Sequence, residues 1–513
     1  MEGPLALEEP QTAQPQGAQE ENDGWNWNYI PELIKIEIFK NLDVKRLLLL
    51  RTISHSWDAT ICDVLRHKVS VYLRAHFSYT KHSKCIGKKI NLFVQNHSKS
   101  AKFKSYAIHA EGDATSKLKG KKIQAFLAEQ AQKPIHLPAL THFNVFNKID
   151  LENPNGFTAQ VINGAPNLTH LRLEWYGINK NLVPSLNLKN IKVLKLSGFA
   201  FSSNESAFPQ LLQSISETIQ ELYTEDFFVK LGSTGIPRMP NLKTLHVLLR
   251  WSIHPQFDFT QFHHWLRHDN LPVLTNLGLM QVNQLIGAQA PNQIVPHDGV
   301  RKLCIEPNGY HIRQILQHSL SWFRNFRNKF PGINSIDLSW YNYGFLEYDA
   351  FDKVLADLVT IFPSLECLAL RNSTLKPVYF TGVEARLLEL YRQEDWLDLE
   401  LIPRKTCLRN LRRLKKLVLD DKESLTSEMI RGIAELSSLE IFEFQWNTQL
   451  SVEDIINHLQ HLKVVSIGNC CKTQLSTPMS ELFMRTGNVR CGCKDYKDEI
   501  GFFRDDYCEN AML

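Results

Sequence analysis

The chain has no long apolar run. Its longest uninterrupted aliphatic stretch is Leu47 to Leu50, far short of the ~20 residues that a membrane-spanning helix needs. It also lacks a basic start followed by an apolar segment. MEGPLALEEPQTAQPQ opens acidic, so no secretory leader is expected and the protein is read as intracellular, cytoplasmic and/or nuclear. Neither sign of charge is in excess. The 58 Lys and Arg against 54 Asp and Glu leave +4, too little to argue for nucleic acid or a membrane surface as partner. Cysteine is sparse: the ten in 513 residues are mostly unpaired in spacing, as expected of reduced thiols. Without a secretory route, the glycosylation sequons at Asn96, Asn167, Asn204 and Asn372 are chance matches. Gly-x-x-x-x-Gly-Lys-Ser/Thr, Gly-x-Gly-x-x-Gly, His-Glu-x-x-His and Gly-x-Ser-x-Gly are all absent. The Cys491-Gly-Cys493 spacing is not that of a zinc finger, and His263-His264 reads as the polar face of a helix. No cofactor, metal or catalytic residue is therefore expected.

What is present is a repeat. From residue 137 onward an aliphatic, two variable residues, an aliphatic, one variable residue and another aliphatic recur. The series runs Leu140–Phe143–Val145, Leu168–Leu171–Leu173, Ile191–Leu194–Leu196, then a degenerate Ile219–Leu222–Thr224, and continues to Leu462–Val465–Ile467. The twelve copies stand mostly 23 to 33 residues apart. This is the leucine-rich-repeat signature, whose period is about 20–29 residues. Six copies carry proline two residues before the first aliphatic, at Pro138, Pro166, Pro240, Pro272, Pro331 and Pro363. Such a proline disfavours helix in the residue before it and turns the chain into a strand. Helical periodicity over 350–362, 427–436 and 452–459 precedes several copies. One unit cannot bury its own aliphatics, but a stack can. The expected fold is α/β: a solenoid with parallel strands on its concave face and helices outside.

One interval is too long. Leu365 to Leu414 spans 49 residues, and the segment is read as a divergent repeat with Leu397, Leu399 and Leu401 as its strand, or else as a projecting loop.

The organisation expected is a disordered leader over 1–28, a three-helix segment over 29–68, a basic connector or divergent first repeats over 69–136, leucine-rich repeats over 137–470 and a C-terminal cap or tail over 471–513. Within 69–136, VSVYL (69–73) and FKSYAIHA (103–110) have strand character, and eleven lysines from Lys81 to Lys122 read as a solvated basic face.

The three-helix segment raises a physical question. IPELIKIEIFKNLDVKRLLLLRTISHSW (30–57) carries fourteen large apolar residues in 28. A unit of that size is near the lower limit for independent folding, and its first helix is apolar on more than one face. One face packs on its neighbours; another needs a partner.

At these residues the chain resembles an F-box. Ile30-Pro31 stands for the opening Leu-Pro, and Glu37-Ile38-Phe39 and Leu42-Asp43 follow at the F-box spacing. Leu47 to Leu50 supply the second-helix leucines, and Ile53-Ser54 with Trp57 match the closing motif. His55-Ser56 replace the usual basic pair. With the repeats, residues 29–470 are similar to the F-box/leucine-rich-repeat family, substrate receptors of Skp–cullin–F-box ubiquitin ligases. The resemblance implies that Pro31, Leu33, Ile36, Ile38, Phe39, Leu42, Leu47, Leu50, Ile53 and Trp57 form or support the surface that docks on a Skp-type linker protein, and on a cullin through it. It implies that the repeats hold a protein substrate and that the chain itself is not an enzyme. The alternative is a scaffold that binds a partner without promoting ubiquitination.

The residues flanking the strand aliphatics are expected on the concave side. Aromatics and arginines at strand ends are the usual anchors of interfaces, so Arg172, Trp175, Trp340, Arg371 and Trp446 are the expected substrate contacts. The other reading of the tryptophans is that they fold over the strand ends and cap the core.

Overall fold

The structure is a computed structural model that describes residues 30–42, 44–68, 70–77, 105–112, 136–146, 157–174, 183–197, 207–225, 235–248, 264–282, 294–307, 312–339, 348–371, 408–420, 425–446, 450–468 and 487–491. It divides into two compact units, Met1–Ser70 and Val71–Leu513.

The first unit holds α1 (Glu32–Lys40), α2 (Val44–Leu50) and α3 (His55–Lys68). Pro31 caps α1, and its carbonyl accepts from the amides of Ile34 (2.9 Å) and Lys35 (3.1 Å). Its missing N–H costs nothing at a helix start. The stripe of Trp57, Ile61, Val64 and Leu65 on α3 is buried together with Phe39 of α1 and Leu47 of α2. Phe39 meets Trp57 edge-on at 5.2 Å.

The second unit is built on one sheet whose fifteen strands follow in sequence order, parallel from β2 onward. The twelve copies of the motif are β3 (His142–Phe146), β4 (His170–Glu174), β5 (Val193–Ser197), β6 (Glu221–Glu225), β7 (Thr244–Leu248), β8 (Asn276–Val282), β9 (Lys302–Pro307), β10 (Ser335–Ser339), β11 (Cys367–Arg371), β12 (Lys416–Asp420), β13 (Ile441–Gln445) and β14 (Val464–Gly468). Their second aliphatics lie in register from Phe143 through Leu171 and Leu194 to Val465. All are at most 2 % exposed. In the degenerate copy Thr224 fills the third aliphatic place, fully buried. The expected strands near residues 70 and 105 are β1 (Ser70–Phe77) and β2 (Ser105–Gly112), and a short β15 (Val489–Cys491), which no motif marks, closes the order.

Helices α4 (Phe157–Gly164), α5 (Ala207–Ile215), α6 (Ile312–Lys329), α7 (Tyr348–Ile361), α8 (Ser427–Ala434) and α9 (Val452–Leu459) precede strands, and their apolar faces join the strand aliphatics in one continuous core. Helices α8 and α9 are linked at their starts. Ser451 caps α9 by accepting from the Asp454 amide (3.1 Å), and the Asp454 carboxylate accepts from Ser427 at the start of α8 (2.5 Å). Those hydroxyls hold the Asp454 carboxyl below the usual carboxylate range. The architecture is an α/β leucine-rich-repeat solenoid.

Two expectations change. The prolines act through a turn. Leu168 N–H donates to Ala165 O (3.1 Å), Leu242 N–H to Met239 O (3.3 Å) and Ile333 N–H to Phe330 O (3.2 Å). Pro166, Pro240 and Pro331 thus occupy the second position of a four-residue β-turn, where their fixed φ is pre-set. The divergent repeat is also overturned. β11 pairs directly with β12, Leu368 opposite Leu417, so no strand from the intervening segment is inserted between them. Leu397, Leu399 and Leu401 lie outside the described residues.

The turn carries a second device. The amide of Asn167 donates to Pro138 O (2.7 Å), that of Asn190 to Pro166 O (2.8 Å) and that of Asn241 to Glu217 O (2.7 Å). Each asparagine immediately precedes the first aliphatic and ties its turn to the repeat before it. Asn241→Ala is expected to lower stability by about 1 kcal/mol, the usual worth of one such bond. A shift of the urea midpoint measures this, and an unchanged midpoint counts against the ladder.

Candidate functional site

Two surfaces are candidates. On the three-helix unit, α1 turns Lys35 and Phe39 inward, at 5 % and 2 % exposure. The lysine stem packs while its ammonium reaches Glu32 (3.6 Å) and Ser56 (3.4 Å). The rest of the helix leaves apolar surface bare: Leu33 is 77 % exposed, Ile34 52 % and Ile38 39 %. Leu49 and Ile53 are exposed as well, at 66 % and 58 %. Of the seven large apolar side chains exposed among the described residues, five belong to this small unit. Soluble surfaces scatter such residues singly; a cluster marks an interaction site.

The ten residues expected at the linker surface separate by burial. Pro31, Leu33, Ile38 and Ile53 are exposed, Ile36, Leu42 and Leu50 are half-buried, and Phe39, Leu47 and Trp57 form the interior. Ile34 and Leu49, which the motif reading passed over, are exposed as well. A depression beside Ile53 is lined by Arg51, Thr52, Ser54, His55 and Asp58. Arg51 Nε bonds Asp58 Oδ1 at 2.5 Å, and that bond holds the Asp58 carboxyl below its ordinary range.

The second surface is the face of the sheet opposite the helices. The central residues of its strands run Asn144, Arg172, Lys195, Tyr223, His246, Gly278, Cys304, Asp337, Ala369, Val418 and Glu443. This row is not uniformly open. From Tyr223 to Val418 it is buried, while Asn144, Arg172, Lys195 and Glu443 keep partial exposure. Val193, Tyr223, Leu248, Met280 and Cys304 form a second apolar cluster here. Tyr223 lies 4.9 Å from His246, whose ring sits where a Gly278 side chain would fall: a Cβ there would meet it at 2.7 Å.

The expected substrate contacts fare differently. Arg172 is half-buried at the centre of β4. Arg371 is an internal group at 8 % exposure, its Nε and Nη2 bonded to both Asp337 oxygens (2.8, 3.1 and 3.0 Å), and Nη1 faces Asp420 at 3.8 Å. Gln445 donates to Asp420 in turn. Trp446 packs in the continuous core at 6 % exposure, so it does not stand as an exposed anchor. Trp175 and Trp340 lie outside the described residues, as do the lysines from Lys81 to Lys122, His263 and Cys493. Among the described residues no group of three or more His, Cys, Asp or Glu is placed to hold a metal, and no helix is long and apolar enough to cross a membrane.

At the start of β3 and β4, His142 and His170 stack at 3.9 Å. Burial, then the neighbouring charges of His142, Lys195 and Lys192, lowers the His170 pKa from 6.5 to about 4. The unfolded chain therefore binds a proton between these values that the folded chain refuses. His170 favours folding fully above pH 6.5, and this contribution is lost as pH falls toward 4. Thermal midpoints across that window are expected to fall more steeply for the native chain than for His170→Gln; equal slopes would contradict the assignment.

No protein-family model matches the chain, and no curated protein matches it. Solved structures align with parts of the chain. The leucine-rich repeat-containing protein LegL7 from Legionella pneumophila aligns at 16% identity over 65% of this chain and 93% of that one, TM-score 0.36. A protein from Bacteroides fragilis aligns at 14% over 59% and 75%, TM-score 0.33. The yeast Rad7 and Elc1 complex contributes a chain at 11% over 80% and 85%, TM-score 0.32.

Proposed function

We propose that the protein is the non-catalytic substrate-recognition subunit of a Skp–cullin–F-box ubiquitin ligase. The observation that carries this reading is the bare apolar flank of α1, with Leu33, Ile34 and Ile38 exposed, within a segment that has F-box spacing. A helix bundle with its own core and an uncovered flank is suited to a second helical protein, here the Skp-type linker. The repeats offer a protein substrate the parts of their sheet face that keep partial exposure, on β3 to β5 and on β13, and the chain's contribution to ubiquitin transfer is proximity, which raises effective concentration.

The test is affinity capture with the full chain under proteasome inhibition. A Skp-type linker and a cullin are expected in the captured material, together with a protein whose ubiquitination stops when the cullin is inactivated. Failure to capture the linker would sink the reading. Capture without cullin-dependent ubiquitination would leave the interaction scaffold instead.

A further inference from the structure

The place three residues before the first aliphatic of each copy forms a buried column. Its twelve occupants, Leu137, Met239, Leu271, Phe330 and Leu459 among them, are at most 4 % exposed. Ser216 and His297 are its polar members, and of these His297 alone titrates. The His297 backbone keeps the common role: its amide donates to Lys329 O (2.7 Å), as that of Met239 does to Asn270 O (2.8 Å). The ring does what no apolar occupant can. Gly299 N–H donates to Nδ1 (3.2 Å), so Nδ1 carries the lone pair and the proton sits on Nε2, which donates to Leu271 O (2.9 Å). Fully buried, the neutral ring ties the turn before β8 to the turn before β9 and uses both nitrogens. A protonated ring would set Nδ1–H against the Gly299 N–H, donor against donor. The groups that face it do not favour a charged ring. The His268 ring meets it edge-on at 5.2 Å and the Phe330 ring lies at 6.4 Å. Lys329, at the end of α6, holds its ammonium on Val295 O (2.7 Å), and Arg267 adds positive charge beside it. Asp269 and Asp298, the carboxylates next in sequence to these groups, are exposed. Burial first, then His268 and Lys329, lower the His297 pKa from 6.5, against the pull of the Leu271 carbonyl.

We propose that His297 makes the joint between the repeats of β8 and β9 an acid-labile hinge, closed while its ring is neutral and opened when Nδ1 takes a proton. The open joint, like the unfolded chain, binds a proton below pH 6.5 that the closed joint refuses. Closure is therefore at full strength above pH 6.5 and weakens as pH falls below it, by up to about tenfold in the opening constant per pH unit for one proton. A methionine, which serves this place in the repeat of β7, is buried just as well and does not respond to pH.

Hydrogen exchange of the full-length protein from about pH 7.5 down to about pH 5, corrected for the intrinsic rate at each pH, tests this. The Arg301 amide donates to Thr275 O across the joint (2.8 Å), and the Lys243 amide donates to Gln220 O (2.8 Å) at the same place before β7. Below pH 6.5 the opening constant at Arg301 is expected to rise relative to that at Lys243, by up to about tenfold per pH unit. In His297→Met the ratio of the two should stay flat. Where circular dichroism shows that His297→Met does not fold, His297→Asn takes its place, since it keeps a donor and an acceptor but does not titrate. A pH-independent ratio in the native chain would overturn the hinge, and so would a slope that survives the substitution.

Discussion

Full-length protein carrying Leu33→Asp and Ile38→Asp is expected to lose capture of the Skp-type linker by at least about a hundredfold. Burying one such side chain contributes roughly 1.5–3 kcal/mol, so two supply about 3–6 kcal/mol. Each ~1.4 kcal/mol is a factor of ten, and the new carboxylates add the cost of desolvating charge. The same substitutions should hardly move the thermal midpoint, because both side chains already face water, at 77 % and 39 % exposure. Phe39→Ala is the contrast. It opens the interior shared with Trp57 and Ile61, and a loss of about 3–5 kcal/mol is expected for a buried phenylalanine. Capture would then fail through unfolding of the unit. Binding by surface plasmon resonance beside circular dichroism separates the two. Undiminished capture by the Leu33/Ile38 variant would remove the apolar flank from the mechanism.

Arg371→Met should destabilise the repeats by about 3–5 kcal/mol, the usual result of removing one member of a buried ion pair. Its guanidinium holds both oxygens of Asp337 across two strands and faces Asp420 on the third. Without it, the Asp337 carboxylate, 5 % exposed, keeps its desolvation cost and loses its cation. Arg371→Lys should recover only part of the loss, since an ammonium lacks the planar fork. Asp337→Leu combined with Arg371→Met should recover more, because both charges are then absent. The urea midpoint of each variant reads this directly. Additive effects of the two substitutions would show that the pair is not coupled.

The repeats were legible because their signal is local. An aliphatic, two residues, then an alternating pair place the first side chain at the end of a four-residue turn and the next two on one face of a strand. Leu168, Leu171 and Leu173 need no knowledge of the rest of the chain to do so. Proline two residues earlier was legible as a boundary, but its part in the turn was not distinguished from strand entry. The asparagine ladder was available too: Asn167, Asn190 and Asn241 each precede the first aliphatic. An asparagine marks a turn of any kind, and the acceptor that makes the ladder lies one repeat away.

The sequence alone determined the order of helix, turn and strand, the twelve in-register copies and the surplus of apolar surface near the amino end, since each follows from residues within one turn or strand. Only the tertiary structure decided which of those apolar residues stay bare, that β11 joins β12 directly, that Arg371 is spent inside the sheet and that Trp446 belongs to the core. Burial and pairing are set by side chains from neighbouring repeats, and no spacing within one repeat encodes what the next one covers.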